Sequence, residues 1–272
     1  MKLSIITVVF NDYRHIESTI KTVLTQTFTD KEYIIVDGGS TDGTKEIIQL
    51  YNEQIKWISE PDKGIYDAMM KGVRMAKGDW ILFLNSGDYL ENNTVLESVF
   101  DRYVDTGESF LIANAICFKD WGIKKVKPHI LNQNWYDAMP VIHPSTLIRR
   151  AVQVRYPFHQ EYKLSADYMF FIEALKAGAT YKYFDIVLSC MNLQEGATAT
   201  HWDRSLKDNI AILNKTNAPK ESIKKIKRYY RRALLEKFIL LFYPKYQERI
   251  KRKSIQWGGW QPTSEPYENR FQ

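Results

Sequence analysis

The chain has 272 residues, 44% of them hydrophobic and 26% charged, which is enough to bury the core of one large domain or of one domain with an appendage. Its two cysteines, Cys117 and Cys190, lie far apart and without metal spacing, which argues against a disulfide scaffold or a zinc site and fits a reducing compartment. Charge is uneven: residues 1–200 carry 21 Lys+Arg against 25 Asp+Glu, and residues 201–272 carry 17 against 7, so a mildly acidic body bears a basic tail suited to an anionic partner.

The opening "LSIITVVF" reads as a buried strand, too short for a signal peptide or a membrane span. Ile16, Ile20, Val23 and Leu24 then share a helical face. "YIIVD" is a second strand, followed by Asp42 and Thr44 as caps for a short helix. "IKWIS" is a third. In "GIYDAMMKGVRMAKG", Ile65, Ala68, Met69, Gly72, Val73 and Ala76 recur at helical spacing, and Gly78 closes the helix. "WILFL" is a fourth strand. Apolar strands alternating with helices predict an α/β fold with a mostly parallel sheet flanked by helices. Beyond residue 90 the pattern is less regular, with strands in "SFLIANAICF" and "YKYFDIVLSCMN" and a helix in "SADYMFFIEALKAG". From 203 to Pro244 the chain reads as helical and basic, and the last sixteen residues as loop or ordered tail. The predicted organisation is a body over 1–200, with halves at about 1–90 and 91–200, and a basic helical extension over 201–272.

Ligands of open parallel sheets sit beyond the carboxyl ends of the strands. Here those ends carry Asn11, then Asp37, then Glu60-Pro61-Asp62, then Asn85-Ser86-Gly87-Asp88. Gly38 and Gly39 after Asp37 permit a sharp turn and close approach of a flat ligand. Asp37 reads either as an acceptor for a base or ribose, or as the cap of its own turn. A dinucleotide fingerprint and a P-loop are both missing, so phosphates need another counter-charge, and a divalent cation held by oxygen at the fourth strand end supplies it.

These segments, namely "SIITVVFND", "IIVDGGSTDGT", "SEPDKGIYDAMMKG", "GDWILFLNSGD", "HPSTLIRR" and "LSADYMFF", resemble the ordered motifs of family 2 glycosyltransferases over about residues 1–200. The resemblance implies a GT-A fold and inverting transfer of a sugar from a nucleotide-diphosphate donor, most like bacterial enzymes of surface-polysaccharide assembly. It implies that Asp37 holds uracil or a comparable base, with Val9 and Asn11 lining the same pocket. Glu60, Asp62 and Gly64 then lie near nucleotide and donor sugar. Asn85, Ser86 and Asp88 match the acidic metal motif for Mg²⁺ or Mn²⁺, although Asn85 and Gly87 stand where that motif has acids. Asp167 matches the catalytic base. On its own position, Asp167 equally reads as a first-turn acid favoured by the helix dipole. His143 reads as a core or turn histidine, or as a contact to donor phosphate or acceptor. His201 and Trp202, with the small residues around Gly196, suit a loop that closes over the donor.

Residues 220–253 hold 13 Lys+Arg and three acids, interleaved with "FILLFY". This pattern suits an interfacial helix on an anionic membrane surface through residues 220–260, with Trp257 and Trp260 at the headgroups, or a helix packed on the body with a basic outer face. The expected partners are a nucleotide-sugar donor and a glycan or lipid-linked acceptor, at the cytoplasmic face of a membrane. No nucleic acid is expected, because the acidic body offers no basic groove. The rival readings are a non-catalytic nucleotide-sugar binder and a membrane-binding module acting through its tail.

Overall fold

The computed structural model describes residues 2–132, 135–194, 200–243, 246–265 and 267–271. The chain opens with β1 (Leu3–Val9), α1 (Ile16–Leu24), β2 (Lys31–Asp37), α2 (Thr44–Gln49), β3 (Lys56–Ser59), α3 (Ile65–Met75) and β4 (Trp80–Phe83). It continues with β5 (Tyr89–Leu90), α4 (Val95–Phe100), β6 (Phe110–Lys119), β7 (Gly122–Val126), β8 (Thr146–Arg149), α5 (Arg150–Arg155), α6 (Ala166–Lys176) and β9 (Tyr181–Asn192). It ends with α7 (Trp202–Lys215), α8 (Lys220–Phe242), α9 (Tyr246–Trp257) and β10 (Gln261–Pro262).

The sheet runs β10-β7-β6-β8-β4-β1-β2-β3, and β9 pairs with both β6 and β5. Strands β3, β2, β1 and β4 are parallel, as the sequence predicts. Beyond β4 the ladder turns mostly antiparallel, because β8 enters against β4 and β6. Within β1 and β2 every second residue serves a different face. Ile6, Val8, Ile34 and Val36 pack with α3 residues Met69 and Val73 and with α6 residues Phe170 and Phe171. Leu3, Ile5, Tyr33 and Ile35 pack with Ile16, Ile20 and Val23 of α1. That is the period-two strand meeting helices on both sides, and each fully buried side chain of this size contributes about 1.5–3 kcal/mol. Ile212 and Leu213 of α7 and Ile226 of α8 belong to the same core as α3 and α6.

This topology brings the carboxyl ends of β1, β2, β3 and β4 to one rim. The parallel β9 ends nearby, with β5 beside it: Tyr89 is opposite Cys190, and the Asn192 N–H donates to Asp88 Oδ1 at 3.3 Å.

Candidate active site

A cavity of about 590 Å³ opens at that rim, within the size range of sites for nucleotide-sized ligands. Its wall takes Val9, Asn11, Asp12 and His15 from the β1–α1 turn, and Asp62, Gly64 and Ile65 from the β3–α3 turn. Asn85, Ser86, Gly87 and Asp88 come from the β4–β5 turn, and Asn192 from the end of β9. Of the residues expected at the donor, Val9, Asn11, Asp62, Gly64, Asn85, Ser86 and Asp88 therefore converge on one cavity.

Asp37, Glu60, His143 and Asp167 do not line it. Asp37 is fully buried. Its Oδ2 accepts the Gly39 N–H (3.1 Å), the Ser40 N–H (3.0 Å) and the Ser59 hydroxyl (2.6 Å), and its Oδ1 accepts the Ser40 hydroxyl. Four donors nearly fill the acceptor capacity of a carboxylate, so Asp37 holds its own turn. The glycines behind it are only partly explained by ligand approach. Gly39 has φ +86°, which the turn requires, whereas a Cβ on Gly38 would strike the Asp62 carboxylate. The space left by the missing side chain is thus taken by Asp62, which also accepts the Gly64 N–H at 2.8 Å and ties the β2 and β3 turns together. Glu60 points away to pair with Lys71 at 2.9 Å.

Asn11 sits at φ +51°, a left-handed conformation that asparagine tolerates better than most residues. Its Oδ1 accepts the Thr41 N–H at 2.9 Å, and its own N–H donates to Ser40 Oγ at 2.7 Å. The turn after β1 and the turn after β2 are thereby one unit.

Asp12 and His15 are site residues that the sequence reading passed over. His15 Nδ1–H donates to Asp12 Oδ1 at 2.6 Å, and Ser86 Oγ donates to Asp12 Oδ2 at 2.6 Å. Burial pushes the Asp12 carboxyl up, but His15 and Ser86 outweigh it and leave its pKa below the usual range. His15 is a local clue three residues on, but the Ser86 contact that ties Asp12 to the fourth strand end lies 74 residues away, beyond any local pattern.

Asp88 is different. Burial pushes its carboxyl up to about 7, and the single Asn192 bond only partly opposes this. Beside it, Asn85 Oδ1 is buried with no hydrogen-bond partner among the described residues. A buried amide oxygen without a donor and a carboxylate short of positive charge are what a hard, oxygen-seeking divalent cation would satisfy. Among the described residues no three His, Cys, Asp or Glu side chains form a metal cluster, so such a cation would draw its remaining ligands from a bound diphosphate and water. Gly87 between them has φ +88°, a conformation that strains an aspartate at that place.

Asp167 lies in the first turn of α6, its side chain 20% exposed. Its Oδ1 accepts the Tyr66 hydroxyl at 2.7 Å and the Tyr168 N–H at 2.9 Å, and its Oδ2 lies 3.4 Å from His143 Nδ1. Burial raises the Asp167 pKa, but His143, Tyr66 and the Tyr168 amide together pull it below the ordinary value. The group is ionised at neutral pH and can take a proton. Tyr66 stands in the first turn of α3, whose Gly64, Ile65 and Ala68 line the cavity, so Asp167 is linked to the donor cavity through one shared turn. His143 is 10% exposed and ringed by Phe83, Phe158 and Phe171, and its Nε2 is buried without a partner among the described residues. The structure thus places His143 behind Asp167, where it can aim and ionise that carboxylate. His201 is exposed at the start of α7, and residues 195–199, the core of the expected closing loop, lie outside the described residues.

A strand-end cavity with an oxygen-rich turn on one side and an ionised aspartate beside it, on a curled mixed sheet between helices, defines a GT-A-like transferase. The model of glycosyl transferase family 2 matches residues 4–154, more than half of the chain, and the protein belongs to that family. A PGL/p-HBAD biosynthesis glycosyltransferase of Mycobacterium bovis is 27% identical over 207 residues, covering 74% of this chain and 80% of the relative. A cholesterol galactosyltransferase of Borreliella burgdorferi is 34% identical over 104 residues, 37% of this chain and 29% of its own length. Among solved structures, S. aureus TarS 1-349 in complex with UDP-GlcNAc superposes with a TM-score of 0.62 at 17% identity, over 83% of this chain and 70% of that one. The mannosyltransferase PcManGT of Pyrobaculum calidifontis, in complex with GDP-Man and Mn²⁺, gives 0.63 at 14% identity, over 91% and 82%. At these identities the two structures establish the shared fold.

Proposed function

We propose that this glycosyltransferase moves a sugar, with inversion, from a nucleoside-diphosphate donor, most simply a UDP-sugar, to a glycan or lipid-linked acceptor in the assembly of a bacterial surface polysaccharide. The observation that carries the reading is the pairing of one cavity with two unlike carboxylates. Asp88 is starved of positive charge inside it, and Asp167 beside it is kept ionised by His143 and Tyr66. In a single displacement the acceptor hydroxyl attacks the anomeric carbon and the bond to the diphosphate oxygen breaks, with its electron pair leaving on the diphosphate. Asp167 receives the hydroxyl proton. Asn85 and Asp88 are the residues that would hold Mg²⁺ or Mn²⁺, which when bound neutralises charge on the leaving diphosphate. Asp37 and Asn11 frame the base end by fixing the two turns. A UDP ligand in TarS and both Mn²⁺ and UDP in a glucosyl-3-phosphoglycerate synthase of Mycobacterium tuberculosis support the choice of donor and metal by analogy of fold.

The test is a thermal-shift screen of UDP- and GDP-sugars with and without Mn²⁺, followed by nucleoside diphosphate release from the donor that binds. A metal-dependent shift with turnover supports the reading. A shift with no turnover on any glycan or lipid-linked acceptor would leave a sugar-nucleotide binder instead.

A further inference from the structure

The helix α8 changes character halfway along, and the second half of its outer face is exposed among the described residues. Its first half is anchored: Ser222 and Ile226 are buried, and Ser222 donates to Asp137 at 2.7 Å. On the opposite, solvent face lie Lys224, Lys227 and Arg231, all exposed, and the same face continues into Leu234, Leu235, Phe238 and Phe242. At 100° per residue these seven positions fall within one third of the helix circumference. Phe238 is 58% exposed, Phe242 65% and the following Tyr243 69%. The Phe238 and Phe242 rings pack against each other, tilted by 56° with centres 5.0 Å apart, and so form one apolar ridge. Neither Lys227 nor Arg231 has an ion pair among the described residues. The next helix, α9, carries the exposed cations Arg249, Arg252 and Lys253, whereas its Lys251 is half-buried over the Trp121 ring at 6.0 Å.

We infer that this face of α8 docks on an anionic lipid surface, with Leu234, Leu235, Phe238 and Phe242 seated among the acyl chains and Lys227 and Arg231 at the headgroups. Apolar burial and attraction to anionic headgroups are the two contributions that hold interfacial helices, and here they lie on one face in series. A second copy fits less well. Stacked in parallel it would set cations against cations, and stacked antiparallel it would bury Lys227 and Arg231 against Leu234 and Leu235, which offer a charge no compensation. Among the described residues no helix is long and apolar enough to cross a membrane, so the contact is made from the surface. The expected tryptophan anchors are revised: Trp260 is taken up against Trp121 at 4.9 Å, the Trp257 side chain lies outside the described residues, and the exposed aromatics at the C-terminal end of α8 are Phe238, Phe242 and the following Tyr243.

The inference stands independently of the transferase reading, because vesicle binding is measured without turnover. The full chain is co-sedimented with phosphatidylcholine vesicles, and with vesicles carrying about 30% phosphatidylglycerol. Binding to the anionic vesicles alone is expected, weakened about tenfold or more by Phe238→Glu with Phe242→Glu, and also by Lys227→Gln with Arg231→Gln, both at exposed positions and with unchanged melting temperature. Several outcomes would overturn the proposal: no sedimentation with either vesicle, equal sedimentation with both, binding indifferent to the substitutions, or a concentration-dependent dimer abolished by the Phe238 and Phe242 changes, which would make this a self-association face.

Discussion

Asp88 carries the sharpest consequence at the residue scale. With its carboxyl pushed up to about 7 in the folded chain, against the ordinary 3.8, the folded state holds a proton that the unfolded state has already released. Stability without metal therefore falls as pH rises through that window. Asp88→Asn should remove the slope and raise unfolding free energy near pH 8 by on the order of 2–4 kcal/mol, read from melts in chelator between about pH 5 and about pH 8. The shift in melting temperature on adding Mn²⁺ should grow across the same range, since cation and proton compete for one group, and it should vanish in the variant. Asp167→Asn should keep donor affinity and cost transfer about 10²–10⁴-fold, measured as product formation under saturating donor. Tyr66→Phe removes one of the bonds that hold the Asp167 pKa down, so the acidic limb of the kcat profile should move to higher pH.

Among elements, the β1, β2 and β3 turns act as a single block knotted by Asp37, Ser40, Ser59 and Asn11. Ser59→Ala leaves the buried Asp37 carboxylate short of one donor and should destabilise the fold by about 1–3 kcal/mol, seen in urea unfolding. Gly38→Ala should displace Asp62 and weaken donor binding more than it lowers the melting temperature. The sequence makes this region legible because its signals are local. The apolar runs of β1, β2, β4 and β9 and the helical spacing of α3 and α6 each announce themselves within a dozen residues. What it hides is whatever a distant segment decides. The two-residue strands β5 and β10 exist only through β9 and β7. Tyr66, on a helix whose apolar stripe is otherwise plain, shows its purpose only where Asp167 arrives 101 residues later. Asp37 looks like a ligand for a base by its place at a strand end, and only the Ser59 hydroxyl from the neighbouring strand shows how fully its carboxylate is already engaged.

Across the whole molecule, the C-terminal segment returns to brace the site from outside. β10 pairs with β7, and Phe271 stacks on Tyr89 at 4.4 Å, next in sequence to Asp88. Tyr267 is buried against Phe118 and Cys190. Ending the chain at residue 260 should lower the melting temperature by on the order of 5 °C or more and reduce the Mn²⁺-induced shift with it. The same brace makes Cys190 a built-in reporter. Its thiol is enclosed beneath Tyr267, 3.9 Å from the hydroxyl, and burial pushes it up to about 12, so an alkylating reagent reaches a reactive sulfur only when the terminal segment lifts away. The rate at which iodoacetamide modifies Cys190 in the otherwise native chain is thus a clock for that lifting, and a bound sugar nucleotide that steadies the Asp88 turn should slow it.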